Sequence, residues 1–97
     1  MIKTVEILDC QPYFLVCRFN NGEVKKLNCE TIFKEEANKK YAQKILNTVV
    51  FSKVKIGELG QVYWEHAAEM KDEQGNSFTC EYDLSPEFVY HHSIAVK

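Results

Sequence analysis

An apolar segment and a mixed apolar and charged one flank Asn20-Asn21-Gly22, and this arrangement constrains the fold more tightly than any other stretch of the chain. Tyr13 to Phe19 precedes the turn and Glu23 to Leu27 follows it, while Asn-Gly tolerates the positive φ that tight hairpin turns demand. The pattern predicts an antiparallel hairpin. Gln11-Pro12 interrupts the chain ahead of it, because proline has no N–H to give a ladder. The register stays open at this level. A two-residue loop at Asn21-Gly22 pairs Phe19 with Val24 on one face and Val16 with Leu27 on the other, and a three-residue loop is the alternative.

Residues 2 to 8 are rich in β-branched side chains and predict a strand ahead of this hairpin. Val54 and Ile56 alternate with Lys53 and Lys55, Gly57-Glu58-Leu59-Gly60 supplies a turn, and Gln61 to Trp64 alternates again, which predicts a second hairpin. From Trp64 the even positions His66, Ala68 and Met70 extend the strand pattern until Asp72 to Asn76 breaks it. Phe78, Cys80 and Tyr82 then form a last strand, giving a third hairpin.

Helical period shows most clearly between Thr31 and Asn47, where Phe33, Ala37, Tyr41 and Ile45 recur every fourth residue, joined by Ala42 and Leu46. One main helix of about 31–47 is predicted. Glu30, Glu35 and Glu36 lie near its start and Lys39, Lys40 and Lys44 near its end, complementing the helix dipole. Asn28 is read as a cap and Asn47 as a left-handed terminator. Asp83, Ser85, Pro86 and Glu87 mark the start of a short C-terminal helix of about 85–92: a capping hydroxyl, a proline at the first helical position and an acid in the first turn. The expected fold is α+β, with a mostly antiparallel sheet of about five to six strands in hairpins, one main helix packed on it and the short C-terminal helix.

A chain of 97 residues suits one domain spanning 1–97, since dividing it leaves two undersized cores. Twelve basic side chains against fourteen acidic ones give a net charge of −2, which disfavours autonomous binding to nucleic acid. The N-terminal residues lack the apolar block of a secretory signal, and no apolar run approaches the roughly 20 residues of a membrane span, so a cytoplasmic protein without membrane partners is expected. In that compartment Cys10, Cys17, Cys29 and Cys80 stay reduced. No Cys-x-x-Cys pair is present, and neither a metal nor a cofactor is expected.

The segment from Cys80 to Glu87 gathers a thiol, a hydroxyl and three carboxylates, the ingredients of nucleophilic or acid–base chemistry, but the helix start explains most of them. His91 and His92 are adjacent and diverge, with His66 remote, so they form a poor chelating set. Gly57-x-x-Gly60 lacks the Gly-Lys-Ser/Thr ending of a phosphate loop. Tyr63 beside Lys53 and Lys55 mixes aromatic and basic groups as single-strand nucleic-acid platforms do, and these three residues are the candidate interaction surface.

Phe19-Asn20-Asn21-Gly22-Glu23, Phe51-x-x-Val54-x-Ile56, Gly60-Gln61-Val62-Tyr63-Trp64 and Tyr82-Asp83-Leu84-Ser85-Pro86-Glu87, taken in order, resemble the small bacterial family called domain of unknown function 2442. The resemblance implies a compact α+β domain, usually stand-alone, with some members encoded beside another small protein in arrangements like toxin–antitoxin pairs. It implies no catalytic residues. Residues of about 65 to 81 form an extra hairpin relative to the shorter family pattern, and the chain has no room for a helix-turn-helix segment. The expected function is therefore a non-enzymatic protein-interaction module, the acidic partner of another small protein or of itself, with a small enzyme or a nucleic-acid-binding regulator as alternatives.

Overall fold

The computed structural model describes residues 1–35 and 43–96. Strands β1 (Thr4–Gln11), β2 (Phe14–Phe19), β3 (Val24–Asn28) and β7 (Ile94–Ala95) form an antiparallel sheet in the order β1-β2-β3-β7. Strands β4 (Lys55–Ile56), β5 (Val62–Lys71) and β6 (Ser77–Leu84) form a second antiparallel sheet in the order β4-β5-β6. The fold is α+β and mostly antiparallel, but the strands divide into two sheets where one was expected. Helices are short: α1 (Cys29–Lys34), a 3₁₀ helix (Gln43–Leu46), α2 (Thr48–Phe51) and α3 (Pro86–His92).

Three loops share one design. Phe19 N–H donates to Glu23 O and Gly22 N–H to Phe19 O; Gly57 with Gln61 and Gly60, and Asp72 with Asn76 and Gly75, repeat both hydrogen bonds at 2.8 to 3.1 Å. Each is a three-residue hairpin loop whose last position is a glycine at φ between +81° and +89°, a combination that a glycine bulge accommodates without Cβ strain. The first of these corrects the two-residue register: Leu27 lies opposite Leu15, and Val24 opposite Arg18. As a result Leu15, Cys17, Phe19 and Leu27 share the buried face, whereas the two-residue register divides the apolar side chains between the faces.

The predicted helix over 31–47 is not formed as one element. Cys29, Ile32 and Phe33 place an i, i+3, i+4 stripe in the core, with Asn28 accepting from Thr31 N–H at 3.4 Å as the cap. At Glu35 the backbone turns extended, φ −64° and ψ 141°, and ends α1. The expected positions from Glu36 to Ala42 lie outside the described residues. Asn47, read as a left-handed terminator, is instead extended and caps α2, accepting from Val49 N–H at 2.9 Å and Val50 N–H at 3.4 Å. The physical reason is convergence. A continuous helix separates Phe33 from Ile45 by roughly 18 Å along its axis, yet both are fully buried in one core and α1 touches the 3₁₀ helix.

That core joins the two sheets. Trp64 and Val62 of β5 and Leu84 of β6 meet Leu15, Cys17, Phe19 and Leu27 of the first sheet. Phe33 sits between them, its ring edge-to-face with Trp64 at 5.5 Å and with Tyr82 at 5.6 Å, the arrangement that aromatic quadrupoles prefer. Thr4 N–H donates to Gly60 O at 3.1 Å, tying the edge of the first sheet to the β4–β5 loop. Helix α3 is held to the β2–β3 hairpin by Tyr90, whose hydroxyl donates to the Glu23 carboxylate and whose carbonyl accepts from Lys25 Nζ at 2.8 Å. No helix among the described residues is long and apolar enough to cross a membrane.

Candidate interaction surface

The β5–β6 hairpin carries a local irregularity that re-aims its side chains. Trp64 pairs with Tyr82 and Ala68 with Cys80, so β5 passes Glu65, His66 and Ala67 where β6 passes only Glu81. The bulge holds two extra residues, so the even positions Trp64, Ala68 and Met70 keep one face as expected, and the departure is at His66: Ala67 turns into the core, and His66 is exposed at φ +53°. A non-glycine residue in that region is uncommon, and bulges re-aim side chains at sheet surfaces. The His66 ring shares a hydrogen bond with Thr79 across the strands, Nδ1 to Oγ1 at 3.0 Å.

Two clefts meet at Glu65 and His66. One, of about 630 Å³, is lined by Tyr63, Thr79, Cys80 and the acidic Glu58, Glu65 and Glu81. The other, of about 590 Å³, is lined by Val50, Lys53, Val54, Lys55 and Trp64. The three residues of the candidate surface are thereby divided: Lys53 and Lys55 line the second cleft and Tyr63 the first, although Lys55 stands opposite Tyr63 in the β4–β5 register. Lys55 Nζ lies 3.1 Å from Glu65 Oε1 with both side chains half exposed, a pair that contributes at most about 1 kcal/mol but neutralises much of the local positive charge. The sequence does not single out Glu65 and Thr79, and it places His66 and Glu81 in other groupings, because their convergence depends on a bulge that strict alternation does not contain.

The Cys80 to Glu87 segment separates its chemical groups. Cys80 lies on the same strand face as Tyr82, partly buried beside Ala68, while Glu81 and Asp83 lie on the other, Asp83 opposite Tyr63. Ser85 is extended, φ −61° and ψ 152°, and accepts from Phe88 N–H at 3.2 Å; Pro86 begins α3 and Glu87 occupies its first turn. Five residues of extended chain put the Cys80 thiol and the Ser85 hydroxyl roughly 16 Å apart, so they do not form one site. The remaining thiols are poor nucleophiles. Burial pushes Cys17 up to about 12, with a smaller push from neighbouring Cys10, and raises Cys29 as well.

His92 Nδ1 faces Phe88 O at 2.9 Å and its ring stacks on Phe88, while His91 meets the edge of Tyr90. Among the described residues no group of three or more His, Cys, Asp or Glu side chains is placed to hold a metal ion. The tip of the β5–β6 hairpin lies outside the core, with 70–79 exposed. There Met70 and Phe78 stand directly opposite one another, 43% and 47% exposed.

No family model, curated protein or solved structure matches the chain.

Proposed function

We propose that this chain is a small non-enzymatic protein-interaction module that presents the β4–β5–β6 sheet to a partner. The observation that carries this reading is the Met70–Phe78 pair, two large apolar side chains held side by side on a hairpin tip that the core does not use. An apolar pair kept in water gains free energy when a partner covers it, about 25 cal/mol per Å² of apolar area. The acidic balance of the chain and the family resemblance favour a partner encoded nearby in a bacterial two-gene arrangement of toxin–antitoxin type, acting in the cytoplasm.

The alternatives have less beneath them. An enzyme built on Cys80 and Ser85 needs groups that extended backbone holds roughly 16 Å apart, with the Ser85 oxygen already capping α3. A nucleic-acid regulator working through Lys53, Lys55 and Tyr63 needs basic charge that Glu65 offsets. The test is co-expression with the product of each neighbouring gene, followed by chromatography with light scattering. A stoichiometric complex that Phe78→Ser weakens at least tenfold is expected. Failure of both neighbours to bind, or a complex indifferent to Phe78→Ser, overturns the reading.

A further inference from the structure

We propose that the free edge of β6 receives an extended strand from another protein, one in which lysine or arginine alternates with aliphatic residues. This rests on the interaction reading above and adds the mode of docking and the chemistry of the partner.

The edges of the two sheets are unequal. On β1, Thr4 pairs with Phe19 and Glu6 with Arg18, then Ile7 with Cys17 and Asp9 with Val16, so Val5 and Leu8 are extra residues that bulge the edge twice. Strands β4 and β7 are two residues long. Bulges and shortness are the devices by which sheets prevent strand addition. Strand β6 has neither. Its eight residues run without an inserted residue, because the irregularity of the β5–β6 pairing lies entirely in β5, and among the described residues β5 is its only neighbour. Among the described residues nothing pairs with the far side of β6, so every second N–H and C=O there can receive an added strand.

The two faces of β6 specify the occupant. Phe78, Cys80 and Tyr82 lie on one face, continued by Met70 and Ala68 of β5; Ser77, Thr79, Glu81 and Asp83 lie on the other, next to the cleft that Glu58 and Glu65 also line. A strand with aliphatic residues on the first face extends the apolar surface, and its basic residues on the second lie within about 5 Å of Glu81 and Asp83 at the Cβ level. A second copy of this chain fits worse. The two antiparallel registers that overlap β6 most fully place Glu81 directly opposite, or diagonal to, its own copy, and like charges so placed repel. The acidic residues therefore discriminate against self-pairing while admitting a basic strand.

The probe is an acetylated and amidated nine-residue peptide of alternating lysine and valine, titrated into the isotope-labelled protein beside a glutamate–valine counterpart. The lysine–valine peptide is expected to shift the amide resonances of 77–83 and to slow hydrogen exchange at alternate β6 amides at least tenfold. Its binding weakens as salt is raised, and the glutamate–valine peptide binds at least tenfold more weakly. Combining Glu81→Lys with Asp83→Lys reverses the preference. Absence of binding, equal binding of both peptides, protection centred on β1, or β6 protection that grows with protein concentration in the absence of peptide overturns the proposal. The two readings fail separately: a neighbour complex that leaves β6 amides unprotected sinks the edge and spares the interaction module, whereas peptide capture at β6 with no neighbour complex does the reverse.

Discussion

The indole N–H of Trp64 donates to the carbonyl of Phe51 at 3.0 Å in the buried core, joining the bulged strand β5 to the end of α2. The same carbonyl accepts a long contact from Cys10 Sγ at 3.7 Å, so three elements of the chain meet at one oxygen. Among the described residues, removing the indole donor leaves that acceptor with only the weak thiol contact. Trp64→Phe is expected to destabilise the fold by about 1–3 kcal/mol, the cost of under-satisfying a buried polar group together with a partly filled cavity. Urea denaturation followed by circular dichroism measures it; an unchanged midpoint rules out the hydrogen bond as a stabilising element.

The hairpin glycines differ in a way that two substitutions separate. At Gly22 a Cβ meets nothing within 4 Å, and at Gly60 it falls 2.6 Å from the Lys3 Cβ and 2.8 Å from the Lys3 Cα, with both residues at positive φ. Gly22→Ala is therefore expected to cost only the backbone term, about 1–2 kcal/mol. Gly60→Ala adds a clash with the backbone of the N-terminal segment and lowers the melting temperature further. Equal melting temperatures for the two variants exclude the close approach of Lys3 to Gly60.

Ser85 supplies a third measurement. Its hydroxyl accepts from Phe88 N–H at the start of α3, so Ser85→Ala is expected to lose about 0.5–2 kcal/mol, while Ser85→Asp, which also offers an acceptor oxygen, retains most of the stability. The order wild type and aspartate above alanine, read from denaturation midpoints, identifies a cap. Two variants as stable as wild type are incompatible with one.

Thiol titration gives a stability profile with a defined sign. Burial holds the Cys17 thiol neutral in the fold, raising its pKa from an ordinary 9.0 to about 12. Between these values the native state binds more protons than the unfolded state, so this contribution is fully present below about pH 9 and declines as pH rises toward 12. The loss approaches ~1.4 kcal/mol per pH unit for this thiol. Cys29 is raised in the same direction and adds to the slope. Cys17→Ala is expected to flatten the decline above pH 9; a slope identical to wild type contradicts a buried neutral thiol. Alkylation of the native protein at pH 8 should reach the partly exposed Cys80 well before Cys17 or Cys29.

What the sequence determined by itself is local. Asn20-Asn21-Gly22 specifies a hairpin because a glycine at positive φ closes it whatever the distant chain does, and Ser85-Pro86-Glu87 starts a helix because hydroxyl, ring and carboxylate act within one turn. Alternation marked the strands and made the chain antiparallel α+β. The tertiary structure alone decided the division into two sheets, the end of α1 at Glu35 and the bulge that exposes His66 while burying Ala67. It alone left β6 as the long regular edge among the described residues. The apolar stripe from Phe33 to Ile45 reports which side chains leave water, but not the direction from which their neighbours arrive. A helix carries such positions along a line, whereas Trp64, Phe51 and Leu15 gather Phe33 and Ile45 at one core, and burial there outweighs the propensity that would have kept the helix whole.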